Sequence, residues 1–336
     1  MGAHIGQALY DRVSSTHSNL WRVAPLWGSA FFSVLLWRCN QTAPMDRHKI
    51  NTIAVYGSHA TMRLTDDVTA LLTALAEHGV DLYIEAPLWE ALQLAGVPEG
   101  YPQMRLGGET PYGDIALSLG GDGTLLRAVH KLRDVELPIW AINCGHLGFM
   151  TEMEPQEALH HLDDLLAGRY DIETRSLIDV SVAGEHVGTA LNDLAVQKRE
   201  TGSIIKIRVD LDGDLLAEYA ADGLVVSTPS GSTAYALSLG GPIVTPQCQT
   251  LLLVPIAPHT LNMAPLIFPD TSVLTMRVSS LHPTFSIVID GNLRVYDCGV
   301  EIVARKSDKR AHLLRLSHKP YAQVIREKLL WGRDLR

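Results

Sequence analysis

The chain has 336 residues, 46% of them hydrophobic and 19% charged, and a formal net charge of −9 at pH 7. This composition excludes an intrinsically disordered chain, and the length suggests two domains of ordinary size. The acidic balance excludes a general nucleic-acid-binding protein, which needs basic surface to neutralise backbone phosphates, but it is compatible with a local pocket for one nucleotide.

The first 48 residues differ in character from the rest. They are apolar and rich in tryptophan between residues 19 and 40, but Arg22 and Pro25 interrupt this stretch. Its run without charged residues is shorter than the ~20 residues that a membrane-spanning helix needs. Met45 begins a sequence typical of the opening of a cytosolic α/β domain. We therefore predict that residues 1–48 are an over-long start or a disordered leader rather than a membrane-proximal or targeting segment, and that the protein is cytoplasmic without a membrane partner.

From residue 49 to residue 170, short apolar runs alternate with helical patterns. Strands are predicted at 51–57, 80–86, 114–121 and 137–145, and helices at 65–79, 88–96, 124–133 and 154–168. In the first helix, Thr65 is a suitable N-cap and Gly79 a suitable end. Because strands that alternate with helices form parallel sheets, this region is predicted to be an α/β domain with a Rossmann-like parallel sheet.

From about residue 171 the pattern changes to β-rich runs separated by polar turns. The runs lie at 173–184, 185–198, 203–228, 272–280, 284–292 and 300–306. The sequence LDGD at 211–214 is typical of a tight hairpin turn. We predict an antiparallel all-β sandwich domain over residues 171–318, followed by a C-terminal helical tail, residues 319–336, that packs on the α/β domain.

The four cysteines of the chain are widely spaced. They form no CxxC pair and no Cys/His cluster at zinc spacing. The sequence therefore predicts buried or partly buried free thiols in a reducing compartment.

The turn after the third predicted strand has the sequence Gly120-Gly121-Asp122-Gly123-Thr124. Glycines let the backbone approach a ligand closely, and the N-terminus of the following helix favours anions, so the turn is suited to phosphate. A carboxylate beside phosphate is repulsive unless it shares a cation or takes a proton. Asp122 therefore indicates either a Mg²⁺ link or a general base, with a capping aspartate at an ordinary turn as the alternative.

Two further segments carry polar or glycine residues directly after apolar runs. In the segment 141–150, Gly145 and Gly148 allow a close backbone approach, and Phe149 offers an aromatic face. Asn192 and Asp193 place an amide beside a carboxylate, a pair that can bind ribose hydroxyls or an exocyclic amine. The alternative for this pair is an Asx turn between two strands.

The segment 221–244 contains the run STPSGST between an apolar strand and an apolar helix. The small hydroxyl and glycine residues of such a run can hold a nucleotide through side chains and backbone. Ser232 and Thr233 are candidates for this contact, and Tyr235 can stack or donate its hydroxyl. A plain solvent loop is disfavoured because both flanking elements are apolar.

These residues together resemble the NAD kinases. The family's GGDGT motif matches Gly120 to Thr124, its NxGxLGF segment matches 143–149, and its Asn-Glu/Asp pair matches Asn192-Asp193. Its DG…STPTGSTAY stretch matches 222–235, and segments at 255–267 and 288–292 look like two more family motifs. The resemblance covers roughly residues 49–320. One departure is Ala220, where many bacterial members carry arginine, and this puts the balance of phosphate charge near the dinucleotide in doubt.

The resemblance implies an α/β domain followed by a β-sandwich domain, with the active site between them. It implies ATP as the phosphoryl donor, Mg²⁺ or another divalent metal as cofactor, and a homodimer or homotetramer. The implied reaction is phosphorylation of the 2′-hydroxyl of the adenosine ribose of NAD, which gives NADP.

The resemblance also assigns roles to residues. Asp122 is implied to be the catalytic base, and Asp222 to contact the nicotinamide side across a subunit boundary. The implied NAD-binding residues are Asp122, Gly123, Arg127, Asn192, Asp193, Ser203, Asp222, Thr233, Ala234, Tyr235, Ala236, Leu237, Ser238 and Asn292. The implied ATP or phosphate contacts are Gly120, Gly121, Gly123 and Thr124. His259 is expected either to contact the pocket or to be a core histidine.

Three other readings share part of this pattern. Lipid kinases of the diacylglycerol type share GGDGT but are not expected to carry STPSGSTAY or NCGHLGF. Phosphofructokinases share a GGDG-like turn, but the β-rich second half argues against them. A dinucleotide sensor without catalysis is disfavoured because a binding protein gains nothing from Asp122 beside phosphate.

Overall fold

The computed structural model describes residues 49–57, 65–97, 100–108, 112–145, 148–151, 153–200, 204–260, 262–316 and 319–332. The predicted leader and the predicted NAD-binding residue Ser203 lie outside the described residues. The side chain of the predicted N-cap Thr65 lies outside them as well.

Five parallel strands form the sheet of the α/β region. They are β1 (Thr52–Tyr56), β2 (Asp81–Ile84), β3 (Met104–Leu106), β4 (Ile115–Leu119) and β5 (Ile139–Ile142). Their order is β3-β2-β1-β4-β5, and every neighbouring pair is parallel. Four of these strands agree with the predicted runs, and β4 is buried along its whole length. The edge strand β3 is an addition to the predicted strands.

Five helices in the described part of this region accompany these strands. They are α1 (Thr65–Glu77), α2 (Ala86–Leu94), α3 (Asp122–Leu132), α4 (Pro155–His160) and α5 (Leu162–Leu166). Gly79, with φ of 79°, follows α1 as predicted. The single helix predicted over 154–168 is wrong, because His161 leaves helical geometry with φ of −104° and ψ of 8° and divides it into α4 and α5.

The described residues of the β-rich region that follows form twelve strands. They are β6 (Asp171–Val182), β7 (Glu185–Ala190), β8 (Asp193–Lys198), β9 (Ile205–Leu211), β10 (Asp214–Ala221), β11 (Gly223–Ser227), β12 (Thr250–Ile256), β13 (Leu266–Pro269), β14 (Leu274–Ser279), β15 (Thr284–Ile289), β16 (Asn292–Asp297) and β17 (Glu301–Arg315). A six-stranded antiparallel sheet of order β13-β12-β11-β8-β15-β16 faces strands β6, β7, β9, β10, β14 and β17. Apolar side chains from both sheets form one buried core between them, as in the predicted sandwich.

The 15-residue strand β17 connects the two kinds of sheet. Near its start it pairs antiparallel with β14, where Leu274 lies opposite Ala304. Near its end it pairs parallel with β5, where Leu313 lies opposite Ile139. The parallel strands and half of the sandwich therefore belong to one continuous sheet of 11 described strands.

Tight turns join several of the antiparallel strands. Asp212 and Gly213 have φ of 53° and 91°, as a type I′ turn requires, so the hairpin predicted at LDGD is confirmed. Asp290 and Gly291, with φ of 45° and 84°, form the corresponding turn between β15 and β16. This second turn places the Asp290 side chain beside the segment between β7 and β8.

The helix α6 is a single turn at Tyr235–Ser238. A short C-terminal helix, α7 (Tyr321–Lys328), is the last helix of the described residues. The Tyr321 hydroxyl lies 3.5 Å from the carbonyl oxygen of Val244, which it can reach as a donor. None of the described helices has the length and hydrophobicity needed to cross a membrane. Cys144, Cys248 and Cys298 are free thiols; Cys144 and Cys298 are partly buried as predicted, but Cys248 is exposed.

Candidate active site

The glycine-rich turn lies where β4 passes into α3. Gly121 is the N-cap of α3, and Asp122 is its first residue. A Cβ atom on Gly120 would lie 2.3 Å from Oγ1 of Thr124, so only glycine fits this position without displacing that side chain. The turn therefore presents the N-terminus of α3 with Asp122 in its first turn, where a carboxylate is favourable to the helix dipole.

The Asp122 carboxylate is held by the segment that follows β5. Its Oδ2 accepts a hydrogen bond from the backbone N–H of Phe149 (2.8 Å). Its Oδ1 accepts from the N–H groups of Met150 (3.2 Å) and Thr151 (3.1 Å) and from the Thr151 hydroxyl (3.0 Å). These four bonds fix the carboxylate between α3 and residues 148–151, which we call the clamp loop.

Gly148 makes this contact possible. A Cβ atom at this position would lie 1.9 Å from Oδ1 of Asp122 and 2.5 Å from Oγ1 of Thr151. The buried side chain of Asn143 shapes the start of the loop, because its Nδ2 donates to the carbonyl of Thr151 (3.3 Å) and its Oδ1 accepts from the N–H of Gly145 (2.8 Å). The close approach predicted for Gly148 is thus made to Asp122 itself.

Asp290 organises the Asn192-Asp193 segment. Its fully buried carboxylate accepts from the N–H groups of Leu191 (2.6 Å), Asn192 (2.9 Å) and Asp193 (3.0 Å). His130 of α3 places its Nε2 3.4 Å from Oδ2 of Asp290. One carboxylate therefore joins the β15–β16 turn, the Asn192-Asp193 segment and the helix that begins at Asp122.

The side chains of Asn192 and Asp193 lie in a nearly dry environment. Asp193 is 8% exposed, and burial, followed by the negative charge of Asp290, raises its pKa to about 7, although the N–H of Tyr235 bonds to its carboxylate. Asn192 is 9% exposed, and its Oδ1 is buried with no hydrogen-bond partner among the described residues. Since buried polar atoms are nearly always paired, this oxygen is suited to a donor supplied by a ligand.

The run STPSGST packs directly against this segment. Thr228 donates from its hydroxyl to the carbonyl of Leu191 (2.5 Å) and accepts at the same oxygen from the N–H of Gly231 (3.1 Å). A Cβ atom on Gly231 would lie 2.1 Å from the carbonyl oxygen of Asn192. The run continues as a 3₁₀ helix, Ser230–Thr233, and then as α6. The predicted contact residues 233–238 therefore begin beside Asn192 and Asp193.

Not every predicted binding residue of this run is accessible. Ala236 is fully buried in a small apolar cluster with Val225 and Leu252. Tyr235 is exposed, and its hydroxyl oxygen lies 3.3 Å from the amide nitrogen of Gln197. Thr233, Ala234 and Leu237 are partly exposed, and Ser238 is exposed.

Arg127 is held by the residues that follow β1 and β2. Its Nη2 donates to the carbonyl of Gly57 (2.7 Å) and lies 3.3 Å from Oε2 of Glu85. Lys131, one turn further along α3, pairs with the other oxygen of Glu85. Within the chain this arginine therefore contacts the ends of β1 and β2.

Asp222 and His259 lie at the far end of β11. Asp222 precedes this strand, whose other end, Ser227, is paired with Asp193, so about 15 Å of extended chain separates the two aspartates. Oδ1 of Asp222 lies 2.5 Å from the Lys198 ammonium. His259 is exposed, which excludes the core-histidine alternative, and its N–H donates to the carbonyl of Ala220 (2.9 Å). Asn292 is exposed at the start of β16, two residues after Asp290.

The described residues do not gather three His, Cys, Asp or Glu side chains into a metal site. At the glycine-rich turn, Asp122 supplies one carboxylate. Mg²⁺ commonly keeps several waters and takes one or two carboxylates together with the phosphates of a substrate. The described residues alone therefore do not form a Mg²⁺ site, and they fit an ion that enters with the phosphates of a nucleotide.

The sequence interpretation missed Asp290 as a functional residue, and it missed a partly buried ion cluster formed by Glu173, Arg175 and Arg315 beside the site. A signal existed for Asp290, because an aspartate before glycine in a hairpin turn has a side chain free to bond elsewhere. Charged residues at alternate positions of one strand were the signal for Glu173 and Arg175, since they share a face of β6.

A glycine-rich turn at a helix N-terminus and a buried amide–carboxylate pair are together typical of a nucleotide-binding protein, here built from an α/β sheet and a β-sandwich. Family models agree in both regions. The ATP-NAD kinase N-terminal domain matches residues 111–170, and the ATP-NAD kinase C-terminal domain matches residues 191–316.

Curated relatives and solved structures lead to the same family. The NAD kinase of Porphyromonas gingivalis is 39% identical over 84% of this chain and 99% of its own length, and that of Methanothermobacter thermautotrophicus is 34% identical over 84% and 97%. Yeast NADH kinase complexed with NADH has the same fold, with a TM-score of 0.78 at 22% identity over 88% of this chain and 95% of its own. An NAD kinase from Archaeoglobus fulgidus in complex with ATP gives a TM-score of 0.63 at 25% identity over 84% and 97%. The chain therefore belongs to the NAD kinase family and is an NAD kinase enzyme.

Proposed function

We propose that the enzyme transfers the γ-phosphoryl group of ATP to the 2′-hydroxyl of the adenosine ribose of NAD. The observation that carries this proposal is the buried, unpaired Oδ1 of Asn192 beside Asp193, close to the helix that begins at Asp122. The family membership and the ATP complex of the Archaeoglobus fulgidus relative support ATP as donor. Mg²⁺ would supply charge neutralisation for the transferring phosphoryl group.

In this proposal the adenosine part of NAD binds over Asn192, Asp193 and the STPSGST run. The Oδ1 of Asn192 accepts from the exocyclic amine of adenine or from a ribose hydroxyl, which pairs the buried acceptor. Tyr235, Ser238 and the backbone of Thr233 and Ala234 complete the wall of the site.

Asp122 takes the proton. The 2′-oxygen attacks the γ-phosphorus, its proton passes to the Asp122 carboxylate, and the bond to the β,γ-bridging oxygen breaks to release ADP. Oδ1 accepts three hydrogen bonds from the clamp loop, whereas Oδ2 accepts one and keeps a lone pair. Asp122 is thereby oriented by the clamp loop through Oδ1 and available to the substrate hydroxyl at Oδ2.

The variant Asp122→Asn tests the role of this carboxylate. We expect kcat to fall by about 10²–10⁴-fold, the usual contribution of a positioned general base, while the Kd for NAD stays within a few-fold. Steady-state kinetics and calorimetric titration with NAD measure the two quantities.

A matched variant separates base catalysis from loop anchoring, because Asp122 also holds the clamp loop. Gly148→Ala keeps the carboxylate but pushes the loop off it. If Asp122→Asn leaves kcat within a few-fold of the wild type, the assigned role of Asp122 as base is wrong, whatever the loss in Gly148→Ala. The assembly state, homodimer or homotetramer, the contact of Asp222 across it, and the cytoplasmic location stay predictions.

A further inference from the structure

A partly buried ion cluster lies between the clamp loop and the STPSGST run. Glu173 and Arg175 lie two residues apart on β6 and so share one face, and Arg315 ends β17, the strand paired with β6. Oε2 of Glu173 lies 2.9 Å from Nη2 of Arg175 and 3.0 Å from Nη2 of Arg315. A single carboxylate oxygen therefore holds two guanidinium groups.

Each arginine uses another nitrogen to hold a different part of the site. Nη1 of Arg315 donates to the carbonyl oxygen of Met150 (3.0 Å), whose N–H is bonded to Asp122. Nη1 of Arg175 donates to the hydroxyl oxygen of Ser230 (3.1 Å), at the start of the 3₁₀ helix. A continuous series of hydrogen bonds and ion pairs thus connects the Asp122 carboxylate with the run that packs on Asn192.

The cluster is suited to fix the distance between the clamp loop and the STPSGST run rather than to bind a ligand. Arg175 is 4% exposed and is enclosed by its partners. Burial acts to raise the pKa of Glu173, but the two guanidinium groups outweigh it and keep that pKa below its ordinary value. Glu173 therefore stays ionised through the neutral range, and its two contacts persist together.

We propose that Glu173, Arg175 and Arg315 form a positioning cluster that sets the distance between the Asp122 carboxylate and the adenosine-binding run. This inference rests on the proposed function, because it concerns the same two parts of the site. None of the three residues touches the reacting atoms. They act through the clamp loop on one side and through Ser230 on the other.

The three positions predict different kinetic changes. Arg315→Lys keeps the charge but cannot span Glu173 and the Met150 carbonyl with one planar fork, so the clamp loop shifts. We expect kcat to fall at least tenfold, with KM for NAD within about twofold, because a misplacement of about 1 Å near the reacting groups can cost 10²-fold. Arg175→Lys acts at Ser230, and for it we expect a rise of several-fold in KM for NAD with a smaller change in kcat. Glu173→Gln releases both arginines and should show both changes.

Hydrogen exchange tests the proposal without relying on activity. In Glu173→Gln we expect the amides of the clamp loop and of residues 228–233 to exchange at least tenfold faster than in the wild type, under conditions where the protein is folded. Glu301→Gln is the matched control. Glu301 also lies on β17 and pairs with an arginine, Arg277, at 2.5 Å, but it lies near the other end of the strand. It should leave both segments unchanged.

The possible outcomes separate the two proposals. If the wild type forms no NADP, the proposed function fails, whatever the exchange data show. If the wild type forms NADP and Glu173→Gln changes neither kcat, KM nor exchange in the two segments, the positioning cluster is wrong. An equal rise of exchange over the whole chain would also overturn it, because the cluster would then contribute only to global stability. If Glu173→Gln does not fold, Arg315→Lys decides instead. A lower kcat with KM for NAD nearly unchanged would support the positioning cluster, and an unchanged kcat would show that it is wrong.

Discussion

At the scale of single residues, Asp193 and Asp290 place two carboxylates close together in a nearly dry environment. Asp290 is compensated by three backbone N–H groups and lies near His130, whereas Asp193 has the N–H of Tyr235. The pKa of Asp193 therefore rises from 3.8 to about 7, through burial first and the Asp290 charge second. Between these two values the folded protein keeps a proton that the unfolded chain has released.

This difference in proton binding predicts a dependence of stability on pH. The proton that Asp193 holds in the folded state stabilises the protein fully below pH ~4, and this stabilisation is lost as the pH rises through about 7. The Asp193→Asn variant has no carboxyl group at this position, so its stability does not fall in this way. The free energy of unfolding of the variant should therefore gain about 2–3 kcal/mol on that of the wild type between pH 5 and pH 8, measured from urea denaturation at each pH.

Asp134→Asn is the control for this measurement. Asp134 is exposed at the end of α3, and its pKa lies below its ordinary value because Arg133 bonds to it, so it titrates below the tested range. A gain for Asp193→Asn that stays constant from pH 5 to pH 8 would contradict the account of Asp193.

At the scale of elements, the clamp loop is the part of the site most sensitive to a small change in volume. Gly148→Ala should lower the free energy of unfolding by about 2 kcal/mol, because the added methyl group would overlap Asp122 and the loop must give up hydrogen bonds. We also expect kcat to fall at least tenfold, since the loop orients Asp122. Thermal denaturation and steady-state kinetics measure both effects.

Gly145→Ala offers the contrast within the same segment. No described atom lies within 4 Å of a Cβ atom added at Gly145. Its melting temperature should stay within about 2 °C of the wild type. If the two alanine variants are equally stable, the close approach of Gly148 to Asp122 is not a constraint on the protein.

The elements also show what a sequence pattern can and cannot reveal. Apolar runs with clear ends predicted β1, β2, β4 and β5, and three-residue and four-residue spacing predicted α1 to α3. The strand β3 has three residues, two of them exposed, so it offers no periodicity to read. Because a charged stretch interrupts β17 around its irregularity between Lys306 and Arg310, the second half of this strand was not predicted from the apolar runs.

For the site, sequence motifs identified its parts but not their contacts. The glycine-rich turn and the Asn192-Asp193 pair were visible, because each follows an apolar strand. The partners of Asp122 lie 27 to 29 residues away along the chain, and those of Asp290 lie 97 to 99 residues away. Such contacts depend on how the sheets close, which no local pattern of residues encodes.

At the scale of the whole molecule, β17 makes one continuous sheet from the parallel strands and half of the sandwich. Loss of either region would expose the backbone groups that pair with this strand, so the two regions should unfold together. We expect one calorimetric transition, with the calorimetric and van't Hoff enthalpies equal. Two separate transitions would show that the sequence-predicted domains, 49–170 and 171–318, unfold independently.

We propose that this enzyme makes NADP by phosphorylating NAD at the 2′-hydroxyl with ATP. The most direct measurement incubates the purified protein with NAD and Mg-ATP and reads the product through a dehydrogenase specific for NADP. We expect NADP formation that requires both substrates, in a one-to-one ratio with ADP. Binding of NAD and ATP without NADP formation, or a phosphorylated product that the dehydrogenase does not accept, would contradict it.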